Sequence, residues 1–157
     1  MSLDCIFCQI VSGSIPAHKI YEDENHLAFL TIFPNTDGST VVIPKTHCDS
    51  YAFNNSDKVL TDLILATKKV AKMLDRAFED VGRTGMIFEG YGVDHLHAKL
   101  FPMHGTGQME TWKKMESEKK RDEFYTMYPG YLSSHDSHRA DEASLAALAV
   151  KIINKNK

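Results

Sequence analysis

Val93-Asp94-His95-Leu96-His97-Ala98-Lys99-Leu100-Phe101-Pro102 alternates basic with small or apolar side chains over its central six positions. A strand turns successive side chains to opposite faces, so this spacing predicts a strand. Leu96, Ala98 and Leu100 would enter a core, and His95, His97 and Lys99 would line the other face. Two imidazoles and an ammonium in one row form a cationic ridge suited to a phosphate. A histidine is substantially neutral at pH 7, so one of the pair can also serve as a nucleophile. A half-exposed strand can carry two histidines with no chemistry attached, so the stretch gains meaning from its surroundings.

Working backward, Arg83 to Glu89 reads as the preceding strand, with Gly90-Tyr91-Gly92 as the bend that returns the chain antiparallel. Before it, Ser56 to Glu79 carries Leu60, Leu63, Ile64, Val70, Ala71, Leu74 and Phe78 at helical spacing, which predicts one long helix with an apolar face. Ser56 is the expected N-cap, Asp57 suits the positive helix start, and Gly82 is expected just past the end. Ser39 to Ile43 is a β-branched strand ended by Pro44, after a loop over residues 33–38. Lys19 to Glu22 and His26 to Leu30 read as strands joined by the turn Asp23-Glu24-Asn25, and Asp4 to Val11 as a short helix stopped at Gly13. The sum is an α+β domain over residues 1–105, with five strands, one long helix and a short N-terminal helix.

Residues 106–157 form a C-terminal helical extension, expected to pack on the same domain or on a partner copy. Thr111 to Phe124 mixes charges of both signs around Trp112 and Met115, as a solvated helix does. Tyr125 to Ser134 reads as an aromatic loop with a Pro129-Gly130 turn. Asp141 to Ile153 is amphipathic, with Leu145, Leu148, Ala149 and Ile152 on one side.

Composition narrows the function classes. The chain of 157 residues is long enough for a single well-filled core. Its net charge of −3 argues against a general nucleic-acid binder. No apolar run approaches bilayer length and no signal-peptide pattern opens the chain, so no membrane association is expected. Three cysteines, an odd number, fit a reducing compartment, and the cytoplasm is the default.

Cys5 and Cys8 have the C-x-x-C spacing that lets two thiolates grip one ion. They make half of a tetrahedral site. His47 and His95 are candidate partners, and Cys48 competes with its neighbour His47. A redox pair or two buried thiols would show the same spacing, although a redox motif usually sits in a βαβ context that is missing here.

Taken together, Cys5-Ile6-Phe7-Cys8-Gln9-Ile10, Ile15-Pro16, Val42-Ile43-Pro44-Lys45-Thr46-His47 and His95-Leu96-His97-Ala98-Lys99-Leu100-Phe101-Pro102 resemble the histidine triad (HIT) family over roughly residues 5–104. The resemblance implies a HIT-like five-stranded antiparallel sheet, usually in a homodimer. It also implies a reaction in which the middle histidine, here His97, attacks the α-phosphate of a nucleotide. The resulting nucleotidyl-histidine is then resolved by water. Cys5, Cys8, His47 and His95 fall where zinc-containing members hold a structural metal. Ile6, Phe7, Ile10 and Ile32 match the nucleoside pocket, and Gly90, Tyr91 and Gly92 the phosphate-side loop. The chain departs from the pattern at three places: Lys99 replaces the third histidine, Thr31 the ribose-binding aspartate, and Gly92 the hydroxyl residue that assists the leaving group. A lysine keeps a phosphate-binding charge but shuttles protons at neutral pH only if its pKa is strongly lowered. His104, beyond the strand, is a candidate to supply the lost imidazole but reads rather as a surface histidine.

The function expected is that of a HIT-family hydrolase or transferase, cleaving dinucleoside polyphosphates or nucleoside phosphoramidates, with His97 and Lys99 as the catalytic pair. Two alternatives stand beside it: a nucleotide-binding module with little or no turnover, and a zinc-stabilised interaction protein.

Overall fold

A computed structural model describes residues 4–108, 124–128 and 138–157. The elements are α1 (Ile6–Ser12), β1 (Lys19–Glu22), β2 (His26–Leu30), β3 (Thr40–Pro44), α2 (Asp57–Ala77), β4 (Val81–Ile87), β5 (Ala98–His104) and α3 (Glu142–Asn154), with a short 3-10 turn at Ala52–Asn54. The strands form one five-stranded antiparallel sheet in the order β1-β2-β3-β5-β4. This is the α+β architecture expected from the sequence.

The sheet is covered on both faces, which explains why every residue of β2 and β3 is buried. Ala28, Leu30 and Val42 enter a core with Leu63, Val70 and Leu74 of α2. The alternate residues Leu27, Phe29, Val41 and Ile43 face Phe7, Cys8 and Ile10 of α1. Leu96, Ala98 and Leu100 join the α2 side, as their alternation requires. Leu145, Ala149 and Ile152 place α3 in that same core, against α2 and β1 of its own chain.

Local signals set most boundaries. Gly13 ends α1 in the left-handed region at φ 80, where its N–H reaches the carbonyls of Gln9 and Ile10. Ser56 caps α2 by accepting from Val59 N, and Asp141 caps α3 by accepting from Ser144 N. Gly38 turns into β3 at φ 80, and an added Cβ there would stand 2.7 Å from the Phe78 ring.

The structure corrects several expectations. Gly82 lies inside β4, because α2 stops at Ala77 and Phe78 leaves in extended conformation. The buried Phe78 and Val81 pull the chain straight into the sheet, leaving no room for a glycine-capped turn. Ile64 is half exposed and faces away from the sheet. The strand carrying the decisive stretch starts only at Ala98. Residues 93–97 are irregular, with His95 N bonded to Val93 O at 2.9 Å and Leu96 N to Cys48 O at 3.0 Å. The expected helix over residues 111–124 and the Pro129-Gly130 turn lie outside the described residues, apart from Phe124. Tyr125 is buried, and its N–H donates to Asn35 O at 3.0 Å.

Candidate active site and metal cluster

His95 and His97 point to the α1 side, where Phe7 packs against both rings. They are 0% and 2% exposed, so the expected cationic ridge does not form. Burial pushes both imidazoles below their ordinary pKa, against the opposing pull of the backbone carbonyls they bond, and keeps them neutral. Their tautomers follow from those bonds. His95 donates Nε2–H to Pro44 O at 2.8 Å, which leaves the Nδ1 lone pair directed at the thiols. His97 donates Nδ1–H to His95 O at 2.8 Å, which leaves its Nε2 lone pair free of that bond. Phe7 packs edge-on against both rings, with centroids 5.8 Å from His95 and 5.5 Å from His97.

Cys5, Cys8, His47 and His95 converge, with one ligand atom of each within 4.8 Å of all the others. Cys5 Sγ lies 3.4 Å from His95 Nδ1, and Cys8 Sγ lies 3.4 Å from His47 Nδ1 and 3.7 Å from His95 Nδ1. Donors around a tetrahedral zinc with sulfur and nitrogen ligands stand roughly 3.5 Å apart. Two soft thiols, two imidazoles and a His95 tautomer fixed by the Pro44 carbonyl therefore fit a metal ion. Cys48 stays outside the group. Its half-buried thiol is pushed above the ordinary value by burial, and its carbonyl holds Leu96.

Lys99, in β5 two residues after His97, is not a free cation, because its Nζ pairs with the Glu89 carboxylate. Both partners are about four-fifths buried, at 23% and 21% side-chain exposure. Glu89 went unnoticed in the sequence. Its only signal was its place at the end of the run from Arg83, whose antiparallel pairing sets Ile87 opposite Lys99 and leaves Glu89 two residues beyond that pair.

The other expected site residues are spread more widely. Phe7 and Ile10 are buried in the α1-side core, while Ile6 and Ile32 remain exposed at 45% and 37%. Thr31 spends its hydroxyl locally, accepting from Phe33 N at 3.2 Å. Gly90 and Gly92 have φ of 66 and 84, and a Cβ at Gly90 would come within 2.8 Å of Ser50 O, so only glycine allows this loop to close on residues 50–51. Tyr91 is 83% exposed. His104 is not on the surface: it is 6% exposed at the far end of β5, between the Asp80 carboxylate (3.0 Å from Nδ1) and Asp37 O (3.0 Å from Nε2). That role is architectural, and it is distant in the strand from His97.

The model of the HIT domain matches residues 12–106. The chain belongs to the HIT domain family. Protein hit of Bacillus subtilis is 38% identical over 108 residues, spanning 66% of this chain and 74% of that one. An adenosine 5'-monophosphoramidase of Schizosaccharomyces pombe is 37% identical over 101 residues, spanning 64% of this chain and 74% of the yeast protein. A zinc-bound histidine triad family protein from Mycobacterium smegmatis matches with a TM-score of 0.61 at 25% identity, over 99% of this chain and 94% of that one. The HIT domain match takes in His47, His95, His97 and Lys99, and α3 lies beyond it.

Proposed function

We propose that this HIT domain hydrolyses a nucleotide conjugate at its α-phosphate, with His97 as the nucleophile. The observation that carries the reading is the His97 ring: neutral by burial, oriented by the His95 carbonyl, and presenting Nε2 as its remaining lone pair. Nε2 attacks phosphorus as the bond to the leaving group breaks, and the leaving group takes its proton from solvent water. Water then cleaves the P–N bond and regenerates the imidazole. The Lys99 ammonium and the amides of the Gly90–Gly92 loop face the charge that develops on the phosphoryl oxygens. Exposed Ile6 and Ile32, with the edge of Phe7, offer apolar walls for the nucleoside, and Thr31 stands at the ribose position. Nucleoside phosphoramidates and dinucleoside polyphosphates are the substrate classes, the former matching the activity of the yeast relative.

Cys5, Cys8, His47 and His95 would hold a zinc ion, which when bound neutralises the two thiolates and anchors the residue preceding the nucleophile by two positions. The zinc is structural in this reading. A reducing compartment such as the cytoplasm suits three free cysteines. Among the described residues no helix is long and apolar enough to cross a membrane.

The test is hydrolysis of adenosine phosphoramidate and diadenosine tetraphosphate by wild type and His97→Ala, with acid-labile radiolabel on the protein as the readout of the intermediate. Wild type should turn over and carry label, and His97→Ala should do neither while retaining nucleotide affinity. Nucleotide binding without label or turnover in wild type would leave a binding module instead.

A further inference from the structure

The C-terminal extension lies beyond the matched domain, which ends at residue 106, yet it grips the loop that follows β2. The Ala140 amide donates to Ile32 O at 2.9 Å, the Tyr125 amide donates to Asn35 O at 3.0 Å, and the Thr36 hydroxyl donates to Tyr125 O at 3.1 Å. Asn35, Thr36 and Tyr125 are buried, where leaving such a bond unmade is costly. Within the loop, Ser39 closes the chain on itself. Its carbonyl accepts from Thr31 N at 3.1 Å, and its hydroxyl donates to Thr36 O at 2.9 Å. Closure makes the loop one body, and the bonds from the extension set where that body stands. The extension is anchored in turn. Leu145, Ala149 and Ile152 bury α3 in the core it shares with α2, Asp141 caps it, and Glu142 Oε2 lies 2.8 Å from His18 Nε2, just ahead of β1. The Ala140 amide, next to that cap, is therefore a fixed donor.

We infer that the C-terminal extension sets nucleoside recognition, with Ala140 and, through Thr36, Tyr125 as positioning residues that fix Ile32 as a wall for the base. This rests on the proposed reading of Ile32 and adds to it the part of the chain that holds the wall in place. The backbone of Ile32 is held while its side chain keeps 37% exposure, open to a ligand. An apolar wall ordered before the ligand arrives spares the entropy of ordering it on binding. The grip acts at one end of the site only. The loop leaves the sheet where Leu30 stands opposite Thr40 and Thr40 opposite Leu100, three residues past His97. The histidines and the Gly90 bend are tied instead beyond the other end of β3, through Pro44 O, Cys48 O and the approach to Ser50 O. A ligand that carries a base should therefore feel the extension, and one with only sugar and phosphate should not.

The experiment compares the affinities of adenosine monophosphate and ribose 5-phosphate, measured by calorimetry on the full chain and on paired variants. Ala140→Pro removes the amide that holds Ile32, and Ala140→Gly keeps it. Thr36→Val removes the hydroxyl that reaches Tyr125, and Thr36→Ser keeps it. Loss of one such bond should weaken adenosine monophosphate roughly fivefold in the proline and valine variants and leave ribose 5-phosphate unchanged, with affinity recovered in the glycine and serine variants. With adenosine phosphoramidate as substrate, KM should rise by the same factor while kcat stays constant. Val150→Thr, on the exposed face of α3, should leave both ligands as in wild type. Contacts that only support the fold would weaken both ligands together and lower kcat as well. That outcome, or an unchanged affinity for adenosine monophosphate, overturns the inference, and Thr36→Val decides alone if Ala140→Pro does not fold. A wild type that binds no adenosine monophosphate fails the proposed function and takes the inference with it. A wild type that binds it no better than the variants fails the inference alone.

Discussion

Individual side chains in this molecule are set largely by the backbone atoms they reach. Asp23 is the clearest case: its partial burial works against its charge, yet the Tyr21 hydroxyl and the N–H groups of Asn25 and His26 hold its carboxyl down to about 2. A carboxylate depressed in the folded state stabilises the fold above its unfolded pKa of about 4 and loses that contribution as pH falls towards 2. Asp23→Asn should therefore lower the urea midpoint at pH 7 by the equivalent of about 1 kcal/mol. Its difference from wild type should shrink as both are titrated from pH 4 to pH 2. A gap that persists at pH 2 would assign the effect to shape and not to charge. The sequence did place the Asp23-Glu24-Asn25 turn, because its residue types are local signals. It gave no hint of the Lys99–Glu89 pair, whose partners are ten residues apart and meet only once β4 and β5 are paired, nor of the burial of His104, which depends on Asp37 and Asp80 arriving from elsewhere.

Elements whose stripe matched one period were legible almost to the residue. β1 and β2 have the expected bounds, and α2 starts at its serine cap. Residues 93–97 were not legible as irregular, because their alternation suits a strand while their amides are captured by Val93 O and Cys48 O. On the buried face of α2, the Thr67 hydroxyl is the one buried side-chain polar atom among the described residues that lacks a hydrogen-bond partner. Thr67→Val keeps the shape and removes the orphan, so it should stabilise by about 1 kcal/mol, read as a raised thermal midpoint. The mouth of α1 carries the metal expectation. Purified protein should hold about one zinc per chain, and Cys8→Ser should lose it, since Cys8 reaches both imidazoles, at 3.4 Å from His47 and 3.7 Å from His95. Metal analysis that finds full zinc in a variant lacking both Cys5 and Cys8 would dismiss the cluster as a binding site.

The whole molecule is a sheet covered on both faces, with β4 at one edge. Among the described residues no strand pairs with that edge, which makes it a template for a second strand, and β4 also exposes Met86 at 43%. We expect a homodimer joined along β4. Light scattering at micromolar concentration should give twice the chain mass for wild type and the single mass for Met86→Lys, whereas a monomeric wild type would refute the pairing. The extension beyond residue 105 was legible as an amphipathic helix but not in its docking, because the side of the sheet that receives Leu145 and Ile152 is settled only when α2 is in place. The metal cluster also sets an order of events during synthesis. Cys5 and its partner His95 are 90 residues apart. At ribosomal rates of about 5–20 residues per second, the N-terminal thiols would wait on the order of 5–20 seconds for their last ligand. Over that interval Cys5 and Cys8 are a nascent-chain liability, open to oxidants and to stray metal, which a reducing surrounding would hold in check.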